Sequence, residues 1–417
     1  MSPKTIILLL LILSFILFLR VIIHIQNITP VTPGTHITFE GKIVSQPKIG
    51  ITGQRASMIL PNAQRISILF SNRDQLLYGD QVMVSGIVDY FDPPGARQGQ
   101  KRDMAAYMNQ PEYKIVKKAR SNLIFRLREN LVYFFNSSLD PSSASLMLGI
   151  TFGIKQEMPE EFYLNLQKTG LMHVVAASGM NITMLGGFLI AFFSLILRRQ
   201  TALILSIIGI LFYTVLAGFE ASIVRAAVMG IIAFSAGILG RQSIAFLSLF
   251  FAGFVMLMVH PSLIFDIGFQ LSFMATAGLI FIRPIFYLSS KLKHIIKRSV
   301  VGEDLTTTLA AQIATLPILL INFGNYSFWS VPINAIVLWS VPILMVIGGI
   351  SAIIGLLFEN AGRLALYTSL PFLLYFEGIV NFMGDRITPI IFKFFPTVLV
   401  TGYYLILIGF VLFKKRR

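Results

Sequence analysis

Cysteine is absent from this chain, which excludes disulfide cross-links and every thiolate-held metal or cluster. Histidine is scarce: His24, His36, His173, His260 and His294 are the whole complement. They are scattered, so no histidine-rich two-metal site can be assembled from them. The phosphate-cradling GxxxxGK[ST] loop is missing, and with it the usual means of hydrolysing a nucleotide. No GxSxG nucleophile elbow occurs either. Acid is in short supply as well: 19 Asp and Glu against 34 Lys and Arg leave a net charge of +15. That excess is weak evidence for a nucleic-acid partner, because acid-poor cytoplasmic loops alone produce much of it in membrane proteins. The chain reads as a conduit, not an enzyme, with no metal and no cofactor expected.

What is plentiful is apolar length. Hydrophobic residues make up 55% of the 417, mean hydropathy is +0.76, and several runs reach the roughly 20 residues a helix needs to cross a bilayer. The expected fold is a polytopic α-helical membrane protein of about ten spans, some broken or re-entrant, carrying an extracytoplasmic OB-like β-barrel. The first run, TIILLLLILSFILFLRVIIHI, exceeds a signal-peptide core and lacks a small-residue cleavage site. It reads as an uncleaved anchor over residues 1–26, with Arg20 and His24 reaching for the outer interface.

From 27 to 119 the pattern changes to short alternating stretches, HITFEGKIVS, RISILFS and GDQVMVSGIVDYF, separated by turn signals. Strands at this spacing suit a small OB-type barrel, a fold that often binds single-stranded nucleic acid or sugars. A plain extracytoplasmic cap is the other reading. Around its end, Arg97, Lys101, Arg102, Lys114, Lys117 and Lys118 outnumber the acids, and Tyr107 lies among them. A basic groove with stacking aromatics is how sequence-blind single-strand binders work. The alternative is a juxtamembrane segment touching lipid phosphates.

Residues 120–139 hold apolar positions at helical spacing with a charged opposite face, the pattern of an interfacial amphipathic helix. SASLMLGITFGI is too short to span and reads as a half-membrane piece. The rest of 140–417 forms the channel domain, with about nine spans centred near 185, 209, 230, 252, 277, 314, 346, 373 and 404. This count puts every basic cluster after the barrel on one side, and both termini in the cytoplasm. VPINAIVLWSVPIL, bracketed by Pro332 and Pro342, reads as a broken helix.

Polar residues inside apolar runs mark the candidate site. TGLMHVVAASGMNITML, residues 169–185, carries His173, Ser178, Gly179 and Asn181 where a lipid-facing helix would have none. It reads as a broken helix lining a pore. Glu220 is expected at the outer mouth and Arg225 a turn deeper, lining the pore or pairing with a carboxylate. Asp266 and Gln270 share a helical face, Asp266 alternatively capping the helix. Thr308, Gln312 and Thr315 make a second stripe that Pro317 ends or kinks. Both stripes could line a wet path or serve as interhelical glue. His173, lacking a second ligand at metal spacing, is equally readable as a structural hydrogen-bonding group.

The 169–185 stretch resembles the signature of the ComEC competence family, whose members often read HLLAISGLHV there. YTVLAGFEASIVRAAVMG, HPSLIFDIGFQLSFMATAGL and AAQIATLPILLINFGNYSFWSVPINAIVLWSVP follow in the family's order, and YGDQVMVSGIV with FDPPGARQGQKRDMAAYMNQ is similar to its barrel and exit segment. The resemblance covers roughly residues 35–355. It implies an inner-membrane channel passing single-stranded DNA into the cytoplasm during natural transformation, with a DNA receptor protein outside and a helicase-like ATPase inside. Shared core positions correspond to His173, Ser178, Gly179, Arg225, Asp266, Gln270, Gln312 and Pro317. Asn181 stands where many members have His, which removes a protonatable group. Longer members also end in a metallo-β-lactamase-like domain. This chain stops after KKRR, so a separate nuclease is expected where one is needed. Two other readings stand beside this one: a secondary transporter of a glycan or other anionic solute, and a non-transporting membrane scaffold.

Overall fold

The computed structural model describes residues 3–27, 32, 34–44, 47–49, 53–60, 65–71, 74, 76–90, 106–118, 123–154, 158–175, 178–287, 302–327, 329–388, 390–391 and 397–415. Contacts divide the chain into two compact units, one essentially Met1–Leu127 and the other Arg128–Ile154, Met158–Met256 and Leu263–Arg417.

The first unit opens with helix α1 (Pro3–Asn27), whose apolar side chains point outward as those of a lipid-facing anchor do. Eight strands follow. β1 (His36–Lys42), β5 (Gln81–Ile87) and β8 (Glu112–Lys117) make an antiparallel sheet in the order β1-β5-β8. β2 (Lys48–Ile49), β3 (Gln54–Ile59), β4 (Arg65–Phe70), β7 (Ala106–Asn109) and β6 (Asp89–Tyr90) form the second, in the order β2-β3-β4-β7-β6. Strict alternation explains both: Ile66, Ile68 and Phe70 turn inward from β4, as do Val82 and Val84 from β5. They meet Phe39, Ile43, Met58 and Met108 in one shared core. A bridge between Ile43 and Met58 joins the sheets.

Two buried polar side chains fix the intervening loop. Gln54 donates to the Asp74 carbonyl at 2.6 Å and accepts from the Leu76 amide at 3.0 Å. Asp80 accepts from the Leu77 amide at 2.8 Å. Among the described residues the strands do not close into a single barrel. β4 and β7 pair in parallel, a relation that alternation along a strand cannot reveal and that requires a long crossover.

In the second unit the amphipathic stretch forms α2 (Leu123–Ser138). SASLMLGITFGI lies mostly in α3 (Pro141–Phe152), where every residue from Ser143 to Thr151 is buried. Asp140 caps its start, accepting from the Ser143 amide at 3.2 Å, and left-handed Gly153 ends it. Twelve residues at about 1.5 Å each reach roughly half a bilayer. α4 (Glu160–Thr169) and the short α5 (Met172–Val175) lead to α6 (Gly179–Ser194). Next come α7 (Arg199–Leu216), α8 (Ala221–Ile238) and α9 (Ala245–Val259). A 3-10 turn precedes α10 (Ile267–Phe281), and α11 (Arg283–Phe286) extends it. α12 (Gly302–Phe323), α13 (Ser330–Val337), α14 (Ser340–Leu357), α15 (Glu359–Tyr367), α16 (Leu370–Gly384) and α17 (Thr397–Lys415) complete the unit.

Among the described residues six helices are long and apolar enough to cross a membrane, or seven if the bent pair α15–α16 is one span. They are α1, α7, α8, α10 with α11, α12 and α14. The remaining expected span centres fall on α6, α9 and α17, whose apolar stretches are shorter, 10–17 residues. The chain is thus a multi-pass membrane protein. VPINAIVLWSVPIL breaks between α13 and α14, and Pro332 and Pro342 each sit in a first turn, where a missing amide hydrogen leaves no bond unmade.

Small residues set the closest helix approach. Gly278 of α10 rests on the Ala310 carbonyl and on Ala314 of α12, so that a Cβ there would strike the carbonyl. Gly278→Ala should therefore destabilise the protein by about 1–3 kcal/mol, measured as a lower unfolding midpoint in detergent. Gly187→Ala, also inside a helix but with nothing within 4 Å of the added Cβ, should not lower the midpoint.

Candidate functional site

The helix over 169–185 is broken. α5 ends at Val175, and Ser178 is extended (φ −111°, ψ 162°) before α6 begins at Gly179. Ser178 does not cap α6; its hydroxyl donates to Asn181 Oδ1 at 2.9 Å. Asn181 is 2% exposed and donates to the Ile150 carbonyl of α3 at 2.8 Å and to the Tyr213 hydroxyl of α7 at 3.4 Å. One amide side chain thereby ties three helices at the break. Gly149 completes the junction, since a Cβ there would lie 2.7 Å from the Val175 carbonyl.

Arg225 approaches from α8. Only 7% exposed, it donates through Nη1 to the Ser272 carbonyl of α10 at 2.8 Å, an oxygen that also accepts from Thr276 at 3.0 Å. Its Nη2 lies against Gly179, 2.6 Å from where a Cβ would stand. Glycine at 179 leaves room for this approach; a Cβ there would push the end of the guanidinium aside. Among the described residues no carboxylate lies within ion-pair distance of Arg225. The carboxylate-pairing reading of this arginine is thus replaced by hydrogen bonding to backbone.

Glu220 sits at the entry to α8, after a tight turn in which Gly218 (φ 85°) and Phe219 (φ 57°) are both left-handed. Its carboxylate acts on Arg128 of α2. Arg128 donates to the Leu216 carbonyl at 3.0 Å, placing a cation at the C-terminus of α7 where the helix dipole favours one. Burial pushes the Arg128 guanidinium down to about 10, with Glu220 pulling the other way, so it stays charged near neutral pH. The sequence reading gave Arg128 no role of its own. Its signal was its position on the apolar-flanked face of an amphipathic helix.

A second cluster brings together His173 and Gln312. His173 is exposed, with Nδ1 3.0 Å from the Gly170 carbonyl; because a carbonyl only accepts, Nδ1 carries the hydrogen. Gly170 is left-handed (φ 75°) and leaves no room for a Cβ beside Ser330 of α13. Ser330 in turn accepts from Gln312 of α12 at 2.7 Å. Motifs more than a hundred residues apart thus meet at one point. Asp266 caps α10, accepting from the Phe269 amide at 2.8 Å, and Gln270 donates back to the Ile264 carbonyl at 2.8 Å. Both carry bonds of the turn that starts α10.

Pro317 neither ends nor breaks its helix: α12 runs through it. Lacking an amide hydrogen, Pro317 leaves the Ile313 carbonyl without its usual donor and disturbs the neighbouring one. Tyr403 of α17 donates its hydroxyl to Ile313 O at 2.8 Å, and Tyr404 donates to Ala314 O at 3.0 Å. The tyrosines were not singled out by sequence, because nothing local links them to a proline so far away.

In the first unit, Lys114 and Lys117 lie exposed on β8, an edge strand, and Lys118 just beyond it. Tyr107 is half-buried, its hydroxyl 3.4 Å from Asp89. Tyr113 turns inward, edge-on to Phe70 at 5.1 Å. Arg97, Lys101 and Arg102 lie outside the described residues. No group of His, Asp and Glu suited to a metal ion occurs among the described residues.

The sequence model of the family described as Competence protein matches residues 150–417. The chain belongs to the Competence protein family. It is also similar to ComE operon protein 3 of Bacillus subtilis (strain 168), 26% identical over an alignment 400 residues long that covers 90% of this chain and 49% of that protein. The chain therefore spans about half the length of that relative. No solved structure matches. The family match takes in the helix break, Arg225, Asp266, Gln270, Gln312 and Pro317 together.

Tyr403→Phe should destabilise this family member by about 1 kcal/mol, the worth of one lost hydrogen bond. Adding Pro317→Ala returns an amide donor to Ile313 O. The double variant should recover most of the loss in a denaturation cycle, whereas simple additivity would contradict this pairing.

Proposed function

We propose that the chain is a channel of the bacterial cytoplasmic membrane that passes single-stranded DNA inward during natural transformation. The observation that carries this reading is the break before α6, a membrane helix interrupted beside a buried arginine that no carboxylate among the described residues neutralises. Irregular backbone at membrane depth is tolerated only where protein or water covers it, and a polyanion needs a wet route with few fixed cations to hold it. Membership of the Competence family and the length shared with ComE operon protein 3 support the same assignment.

In this reading about ten spans cross the bilayer, α6, α9 and α17 among them, with both termini in the cytoplasm. The sheet unit of 27–119, OB-like in role, faces outward. Its basic residues Arg97, Lys101, Arg102, Lys114, Lys117 and Lys118 receive the strand from an outer DNA receptor, with lipid phosphates competing for them. His173, Ser178, Gly179, Asn181 and Gln312 hold the interrupted helices in place, while Glu220 guards the outer mouth. The channel itself does no chemistry and needs no cofactor. Moving phosphate charge toward a negative interior costs about 2.3 kcal/mol per charge per 100 mV, so a cytoplasmic helicase-like ATPase supplies the pull. Degradation of the other strand falls to a nuclease.

Two outcomes test this. Arg225→Gln should lower transformation at least tenfold with membrane insertion unchanged by fractionation; normal transformation would remove Arg225 from the route. Full-length protein in lipid nanodiscs should bind oligothymidylate with a steep salt dependence. Replacing Lys114, Lys117 and Lys118 together should flatten the log–log slope by about 2, at roughly 0.7 per phosphate contact on single strands.

A further inference from the structure

The guanidinium of Arg225 has two edges. Nη1 is committed to the Ser272 carbonyl. The other edge, Nε with Nη2, is the fork that grips two oxygens of one anion. Nε is buried without a hydrogen-bond partner, and Nη2 lies against Gly179. Gly179 is the first residue of α6, a helix of 16 residues. The amides of that first turn carry the positive end of the helix dipole. Ser178, which could have capped them, has its hydroxyl turned to Asn181 instead.

A full cation is therefore packed against a positive helix end, nine-tenths buried, with no carboxylate among the described residues to balance the two. Charges of like sign in a low-dielectric interior raise each other's energy, and one anion placed between them lowers both. Glutamate at this point would supply a permanent counter-charge; the sequence offers glycine.

We propose that Arg225 and the N-terminus of α6 form a binding site for one tetrahedral phosphate group. Resting on the channel reading above, the occupant is a phosphodiester of the passing strand. Nε is shielded from solvent, so a phosphate reaches the fork only as the start of α6 parts from α8. That requirement keeps the site weak, and a strand held one phosphate at a time can still move.

The chain has no cysteine, so a single Met180→Cys reports on this spot. Met180 is 38% exposed in the same first turn. Full-length protein in phosphatidylcholine vesicles would be treated with an anionic and a cationic methanethiosulfonate. The anionic-to-cationic rate ratio should fall by about fivefold or more on adding Arg225→Gln and be kept by Arg225→Lys, which a merely structural arginine would not predict. Inorganic phosphate should slow the anionic reagent.

Protection by oligothymidylate as well would support both the site and its occupant. Protection by phosphate but not by the oligonucleotide would keep the site and refute the DNA channel. Protection arising only from phosphatidylglycerol in the vesicle would keep the site and assign it to a lipid headgroup, overturning the strand as occupant. An unchanged ratio in Arg225→Gln, or no reaction of either reagent, would overturn the proposal.

Discussion

Inside a bilayer there is no water to take up a backbone amide or carbonyl that loses its helical partner, and each one left bare costs several kcal/mol. The helical unit of this protein is arranged around that constraint. At three places where a helix ends or begins, a side chain from elsewhere completes the bonding. Asn181 serves the end of α3 through Ile150, Gln270 serves the turn before α10 through Ile264, and Arg128 serves the end of α7 through Leu216. Polar residues in apolar helices thus act first as substitutes for missing backbone partners, and several candidate pore positions turn out to be engaged in that task.

Arg225 differs from these in kind. Its bond to the Ser272 carbonyl uses one nitrogen of three, and its neighbour across the gap is a glycine that leaves room and no charge. Neutral groups such as Asn181 are fully used by the fold. A cation that the fold uses only in part is the better marker of function, because retaining it carries a standing penalty that packing alone does not repay.

Much of this was legible in the chain. Apolar run lengths located the helices, because the 1.5 Å rise and the bilayer thickness together fix how many residues a span needs. The break before α6 was readable from a serine, a glycine and an asparagine in a stretch that should have been uniformly apolar. Alternation in RISILF and QVMVSGI marked the strands and their inward faces. Sheet order was not legible, since the parallel pairing of β4 with β7 depends on a partner some forty residues away. Pro317 was read from its local effect, which is to end or kink a helix. The distant tyrosines that cancel this effect leave no trace in the surrounding sequence. Asp266 was ambiguous for a related reason, because a cap and a pore-lining acid look alike until the Phe269 amide is seen at 2.8 Å.

The pairing of Pro317 with Tyr403 and Tyr404 also has a consequence for biogenesis. The donor and acceptor helices are 90 residues apart in the chain. At about 5–20 residues per second, α12 leaves the ribosome on the order of 5–18 s before the tyrosines that complete it. During that interval the freed Ile313 carbonyl must be served by the insertion machinery, by lipid headgroups or by water drawn into the membrane. The stretch of α12 around Pro317 is therefore complete only once α17 has been inserted, so a helix made late in synthesis sets when an earlier one can close its bonding.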